Sequence, residues 1–374
     1  MKNYLILFVF ICVVLCDGKP QSIIHDWENH HVLQVNREPA RAAFIAYGEK
    51  QGDRVLSLNG MWRFRWTPVP EERIGDFFRE DYDDSRWTTF PVPANWEVNG
   101  YGTPIYVSAG YPFRIDPPKV TSEPKEKYTT YKERNPVGQY RRTFTLPVGW
   151  DKQGQTFLRF DGVISAFYVW VNGQRVGYSQ GSMEPSEFNV TPYVRAGENQ
   201  IAVEVYRSSD GSYLEDQDFW RMSGIHRDIA LFHTENIRIN DFTVRTLADK
   251  DYKDFTLEID PELSVYGGQT GKGYKVCAEL VDDTVICHLN VDAVPVLDLE
   301  HKASVMNEWF PQRGPRKMGR MKTVVHSPRL WTAETPELYT LLLSLKDSTG
   351  RIVEQVHQRI GFRSVEIANG RLLV

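Results

Sequence analysis

The chain has 374 residues, 41% of them apolar and 13% aromatic, which supplies more than one buried core and excludes a short peptide or a disordered tail. Charged residues make up 25%, and 44 Lys and Arg against 49 Asp and Glu leave a net charge of -5. That balance argues against nucleic-acid binding, while 10 Trp, 18 Tyr and 19 Phe favour β structure and flat surfaces of the kind sugars stack on.

Met1 and Lys2 lead into an apolar run from 4 to 16, and polarity returns at Asp17. The run is shorter than the roughly 20 residues a membrane-spanning helix needs. A basic start, a short apolar core and Gly18 predict a secretory signal peptide over 1–18, an exported (periplasmic or extracellular) protein and no membrane span. Cys16 invites a lipoprotein reading, but Leu15 stands where a small residue is wanted, so that anchor is the lesser alternative.

Pro70 followed by Glu71 and Glu72 predicts a short helix over 70–78, the one helical signal in the chain. Elsewhere the period is two. Strands are expected over 140–146, 155–161, 166–171, 227–233 and 255–259. Ile201, Val203 and Val205 alternate with polar neighbours, as do Leu341, Leu343 and Leu345, which reads as half-buried antiparallel strands. Many short strands, frequent turn residues and no βαβ rhythm predict an all-β chain of sandwiches. One strand series closes and another opens across 234–239, and the pattern weakens into a Lys- and Arg-rich loop over 297–325.

Several motifs fail on context. Gly177, Ser179 and Gly181 have the spacing of a serine-hydrolase elbow, but a hairpin turn at Asn172 and Gly173 precedes them and Pro185 follows, so no strand-turn-helix is available. Lys272 is followed by Gly273, which rules out a phosphate-binding P-loop. Asn189, Val190 and Thr191 form a glycosylation sequon that matters only in a glycosylating host. Cys277 and Cys287 flank a turn at Asp282 and Asp283; a disulfide, which export permits, and two half-buried thiols stand level as readings. Their spacing of ten residues, with no neighbouring His or Cys pair, excludes a zinc knuckle.

The densest chemistry lies in Ser209-Asp-Gly-Ser-Tyr213-Leu-Glu215-Asp-Gln-Asp218-Phe-Trp220-Arg-Met-Ser-Gly224. Asp210, Glu215, Asp216 and Asp218 repel one another, so the loop either faces water or binds a cation. The interleaved Tyr213, Phe219 and Trp220 favour an ordered site.

This segment, with Asp26-Trp-Glu-Asn29, Leu58-Asn-Gly-Met-Trp62, Pro93-Ala-Asn95-Trp96, Gly100-Tyr101, Pro104-Ile-Tyr106, Phe160-Asp-Gly-Val163 and Gly361-Phe-Arg363, closely resembles the β-galactosidases of glycoside hydrolase family 2, over nearly everything from 26 to 374. The resemblance implies a strap over 19–52, a jelly-roll, galactose-binding-like β-sandwich over 53–235, an immunoglobulin-like β-sandwich over 236–363 and, at 364–374, the start of a (β/α)8 barrel. In that family the barrel carries the two carboxylates that hydrolyse terminal β-galactosides with retention, one protonating the leaving oxygen and one attacking the anomeric carbon. Both catalytic Glu are therefore expected outside this chain, which alone is expected to be inactive.

The resemblance further implies sugar and metal positions. Asp218 would hold a sodium ion and contact galactose hydroxyls, since a carboxylate both accepts from hydroxyls and ligates hard cations. Ser108 stands where the family has a galactose-contacting Asn, with a shorter reach. Asp26, Asn29, Gln180 and Asp210 would hold a magnesium ion that ties the strap to the sandwich. Implied partners are β-galactoside sugars, the barrel and, at full length, further copies of the chain. The reading from a different class is a noncatalytic carbohydrate-binding or assembly module of two sandwiches.

Overall fold

A computed structural model describes residues 25–373, apart from 51, 109, 128, 216, 270, 272, 283–285 and 288–319. The expected signal peptide therefore lies outside the described residues. Strands and short 3-10 turns make up the regular structure, with no α-helix among the described residues.

The first sandwich packs a seven-stranded antiparallel sheet on a four-stranded one. The larger sheet runs in the order Gln34–Val35, Gln174–Gln180, Ala166–Val171, Gly197–Tyr206, Val137–Leu146, Gly60–Thr67, Thr88–Val92. The smaller runs Ser186–Asn189, Gln155–Phe160, Ile229–Thr234, Val55–Ser57. Between them Trp62, Phe64, Trp96, Phe160, Phe167, Phe188, Ile201, Val203 and Val205 form the core. The predicted turn at Asn172 and Gly173 joins two strands of the larger sheet, both residues at positive φ (49° and 75°), as a tight hairpin requires.

Three sequence readings change here. The helix over 70–78 reduces to one 3-10 turn, Pro70–Glu72, because Phe77 and Phe78 are drawn onto Trp170 and Trp87 on the outer face of the large sheet and follow no helical stripe. Gly197–Tyr206 is buried on both faces: Ile201, Val203 and Val205 face the core, while Ala202 packs with Phe77 and Trp87, and Tyr206 stacks on Trp27 of the strap. The end of the loop expected over 297–325 is a strand, Met321–His326.

Ser179 lies inside a strand, fully buried, its hydroxyl donating to the Gln180 carbonyl and bonded to Ser186, which bears out the rejection of a nucleophile there.

The second sandwich packs Ile237–Ala248, Asp254–Val265 and Met321–His326 against Ile286–Cys287, Lys275–Val281, Tyr339–Lys346 and Ile352–Ile360. Leu341, Leu343 and Leu345 fill its core with Ile259, Leu263 and Phe362. The register sets Cys287 opposite Leu280. That is three positions along the strand from Cys277, roughly 10 Å at strand rise and beyond the reach of a disulfide. Cys277 is a half-buried thiol. The chain ends in a hairpin, Glu366–Ala368 with Arg371–Leu373.

Candidate functional site

After Tyr206 the chain leaves the large sheet and opens the acidic, aromatic segment. Ser209 caps the 3-10 turn Asp210–Tyr213 through a reciprocal hydrogen-bonded box with Ser212, so the local sequence itself starts the turn. Phe219–Arg221 then pairs antiparallel with Ile105–Val107, forming a two-stranded ribbon that joins neither sheet of the sandwich. Phe219 faces Val107 and Trp220 faces Tyr106 in this register, and Asp218 and Ser108 each lie one residue beyond the paired stretch, at the same end of the ribbon. Two residues that the sequence singled out, 110 positions apart in the chain, thus flank the same end of the ribbon.

Side-chain alternation gives the ribbon two faces. Gln217, Phe219 and Arg221 turn toward a cavity of about 330 Å³ also lined by Phe113, Met183 and Met222. Asp218 and Trp220 turn the other way, toward Tyr106. The Tyr106 hydroxyl donates to Asp218 Oδ1 at 2.5 Å, and this bond to a carboxylate raises the phenol above its ordinary pKa. The Tyr106 and Trp220 rings lie 5.6 Å apart and are 53% and 52% exposed. A carboxylate flanked by two open ring faces can accept sugar hydroxyls while the apolar face of the sugar lies on a ring. The cavity behind the ribbon shares none of these groups.

The second set of residues assembles in part. The turn Asp26–Glu28 packs against Asp210–Tyr213, and the strap is hydrogen-bonded to the Gln180 strand through Gln34–Val35. Gln180 Nε2 donates to Asp210 Oδ1 at 2.6 Å. Gln180 Oε1 is buried and has no hydrogen-bond partner, and burial raises the Asp210 carboxyl above its usual range. An orphaned amide oxygen beside a carboxylate suits a hard cation. Asp26 is otherwise engaged, its Oδ2 accepting from Arg175 at 3.0 Å and Tyr168 at 3.1 Å, and Asn29 Oδ1 accepts from the His31 amide. Of the four donors expected for magnesium, Gln180 and Asp210 come together while Asp26 shares its carboxylate with Arg175, and the described residues form no cluster of three or more His, Cys, Asp or Glu that could hold a metal ion.

Tyr106 was present in the sequence only as part of a motif, with no role of its own. It lies 112 positions from Asp218, and no local periodicity connects them. Only the ribbon register does.

Residues 55–235 match the sugar binding domain of glycosyl hydrolases family 2, and 237–363 match glycosyl hydrolases family 2 in a second, adjoining region. The chain is 37% identical over 365 residues to a beta-galactosidase of Priestia megaterium, covering 95% of this chain and 33% of that protein. It therefore spans about a third of the length of this curated relative. Among solved structures, a calcium binding mutant of Bacteroides uniformis beta-glucuronidase 2 superposes with a TM-score of 0.62 at 21% identity, over 84% of this chain and 33% of that one. Bifidobacterium dentium beta-glucuronidase complexed with coumarin-3-O-glucuronide gives 0.62 at 20%, over 87% and 51%. At such identities the likeness is one of fold.

Proposed function

Because the chain belongs to glycosyl hydrolases family 2, we propose that it is the leading part of an exported β-galactosidase, with Asp218 reaching from the first sandwich to the sugar. The observation that carries this reading is the open face formed by Asp218, Tyr106, Trp220 and the adjoining Ser108. The beta-galactosidase relative supports galactose as the sugar; the beta-glucuronidase neighbours share the fold without bearing on substrate.

In this reading the carboxylates that make and break the glycosidic bond belong to residues outside the chain, and this chain binds and orients. Asp218 accepts from galactose hydroxyls and offers a second oxygen to sodium, which when bound would neutralise charge and order the sugar's hydroxyls. Ser108, at the same end of the ribbon as Asp218, donates one hydrogen bond at shorter reach than an amide. Trp220 and Tyr106 hold the apolar face of the ring. Gln180 and Asp210 would hold magnesium, with Asp26 joining only on release from Arg175, and the ion would brace the strap against the sandwich.

The test uses the intact glycosidase that contains these domains. Asp218→Asn should lower kcat/KM for a galactoside by about 10²-fold, equivalent to roughly 3 kcal/mol of transition-state binding, with the melting temperature unchanged. Unaltered kinetics would remove Asp218 from the site, and a higher kcat/KM for a glucuronide than for a galactoside would replace the sugar. The 374-residue chain by itself should turn over no chromogenic galactoside; turnover by the pure chain would place catalytic groups within it.

A further inference from the structure

We propose that Arg207 and Glu97, a buried ion pair beneath the ribbon, are positioning residues that hold Asp218 in place; the functional half of this inference rests on the reading of Asp218 as a sugar contact. The ribbon has three paired residues per strand and belongs to neither sheet. Two short strands alone are marginal in water, so something beneath them must set their position.

Arg207 follows directly on the central strand Gly197–Tyr206, and its own amide is fixed to the Pro136 carbonyl at 3.0 Å. Its side chain is 5% exposed. Nη2 donates to the Thr103 carbonyl at 3.0 Å and to the Arg221 carbonyl at 3.2 Å. One of these acceptors lies just before the first ribbon strand and the other within the second, so a single guanidinium grips both sides. Glu97, 1% exposed at its side chain, stands 3.7 Å from the same Nη2. Its two oxygens accept from the Ser223 hydroxyl at 2.8 Å and the Ser223 amide at 2.9 Å, just past the ribbon. Asp218 is thus carried on a strand tied down at 221 and 223 from below.

Burying both charges gives little stability. An apolar pair of equal volume often serves a fold as well or better, because desolvation offsets the attraction. Burial raises the Glu97 carboxyl and lowers the Arg207 guanidinium, which registers that opposition. What an apolar pair cannot do is direct N–H donors at backbone carbonyls on both sides of the ribbon, as Arg207 Nη2 does at Thr103 and Arg221.

Two variants of the 374-residue chain test the pair: Arg207→Met combined with Glu97→Gln, which leaves no buried charge unpaired, and Arg207→Lys alone, which keeps the charge on a differently placed, single-nitrogen head group. Hydrogen exchange followed by mass spectrometry should show amides in 103–108 and 217–224 exchanging about tenfold faster in the double variant, with strands Val137–Leu146 and Gly197–Tyr206 unchanged. The lysine variant should show the same local loss at smaller size. Galactose affinity, measured by titration in sodium buffer, should fall in the same order as ribbon protection. Parent-like exchange in the ribbon of either folded variant overturns the proposal. If the exchange changes appear but the parent chain binds no galactose, the clamp stands and the sugar reading fails.

Discussion

Gly224, three residues past the ribbon, begins the strand Gly224–Ile225 at φ 108°, a conformation side chains rarely adopt. A Cβ there would meet Trp96 Nε1 at 2.8 Å and the Ala94 carbonyl at 3.0 Å, against the core of the first sandwich. Gly224→Ala should cost about 2–4 kcal/mol in urea unfolding, whereas Gly100→Ala, also at positive φ but facing open space, should cost about 1 kcal/mol. Equal costs at the two sites would mean that backbone strain, and not the approach of Trp96, governs Gly224. Tyr106→Phe removes the donor to Asp218 without removing the ring. Both groups are exposed, so the melting temperature should stay within a degree or two while galactose affinity drops several-fold. Asp218 was legible in the sequence because acids and aromatics crowd around it. Its partner was not, because the bond crosses between strands far apart in the chain.

The strap shows the same division at the level of elements. Its residues near Asp26 carry turn-forming and acidic character, yet only packing brings Asp26–Glu28 against Asp210–Tyr213 and leaves Gln180 Oε1 without a partner. Adding magnesium to chelator-treated protein should raise the melting temperature by a few degrees at saturating concentration, as expected of a ligand that binds only the folded state. Gln180→Leu should abolish that rise; a rise that survives the substitution moves the cation elsewhere. The segment over 70–78 shows the converse. Pro70 and two glutamates do start a helical turn, but apolar contacts with Trp87 and Trp170 outweigh a single turn's propensity and pull the following residues flat against the sheet.

Across the whole molecule, the two sandwiches meet at a seam of buried charge. Arg238, from the first strand of the second sandwich, is buried with its guanidinium 4.1 Å from the Phe157 ring of the first. Arg54 at the edge of the first sandwich donates to the Val353 carbonyl of the second. Glu354 is 0% exposed, accepts from the Ile239 amide at 2.6 Å, and is pushed up to about 7 by burial against the opposing pull of Arg54, Arg238 and Arg41. A carboxyl whose pKa is raised on folding keeps its proton longer in the folded state. Its contribution is therefore most favourable at or below the ordinary value of 4.5 and is lost as pH rises through about 7. Glu354→Gln should flatten the fall in stability between those pH values and stabilise the chain by about 1–3 kcal/mol at pH 8, read from urea unfolding across the range. A steeper pH dependence in the variant would show that the charged carboxylate favours the seam.

The amino-acid sequence alone determined the all-β class, the boundary between two strand series, the exclusion of a serine nucleophile and the segment that holds Asp218, since each of these is written in neighbours along the chain. The tertiary structure decided which residues face Asp218, that Gly197–Tyr206 is covered on both sides, that Cys277 and Cys287 are out of register, and that Arg207 and Glu97 lie under the ribbon. Periodicity tells which side of a strand is apolar; it carries no record of which strand lies alongside, at what register, or what layer covers the opposite face. Those depend on contacts between residues a hundred or more positions apart, and the candidate sugar face is made of such contacts.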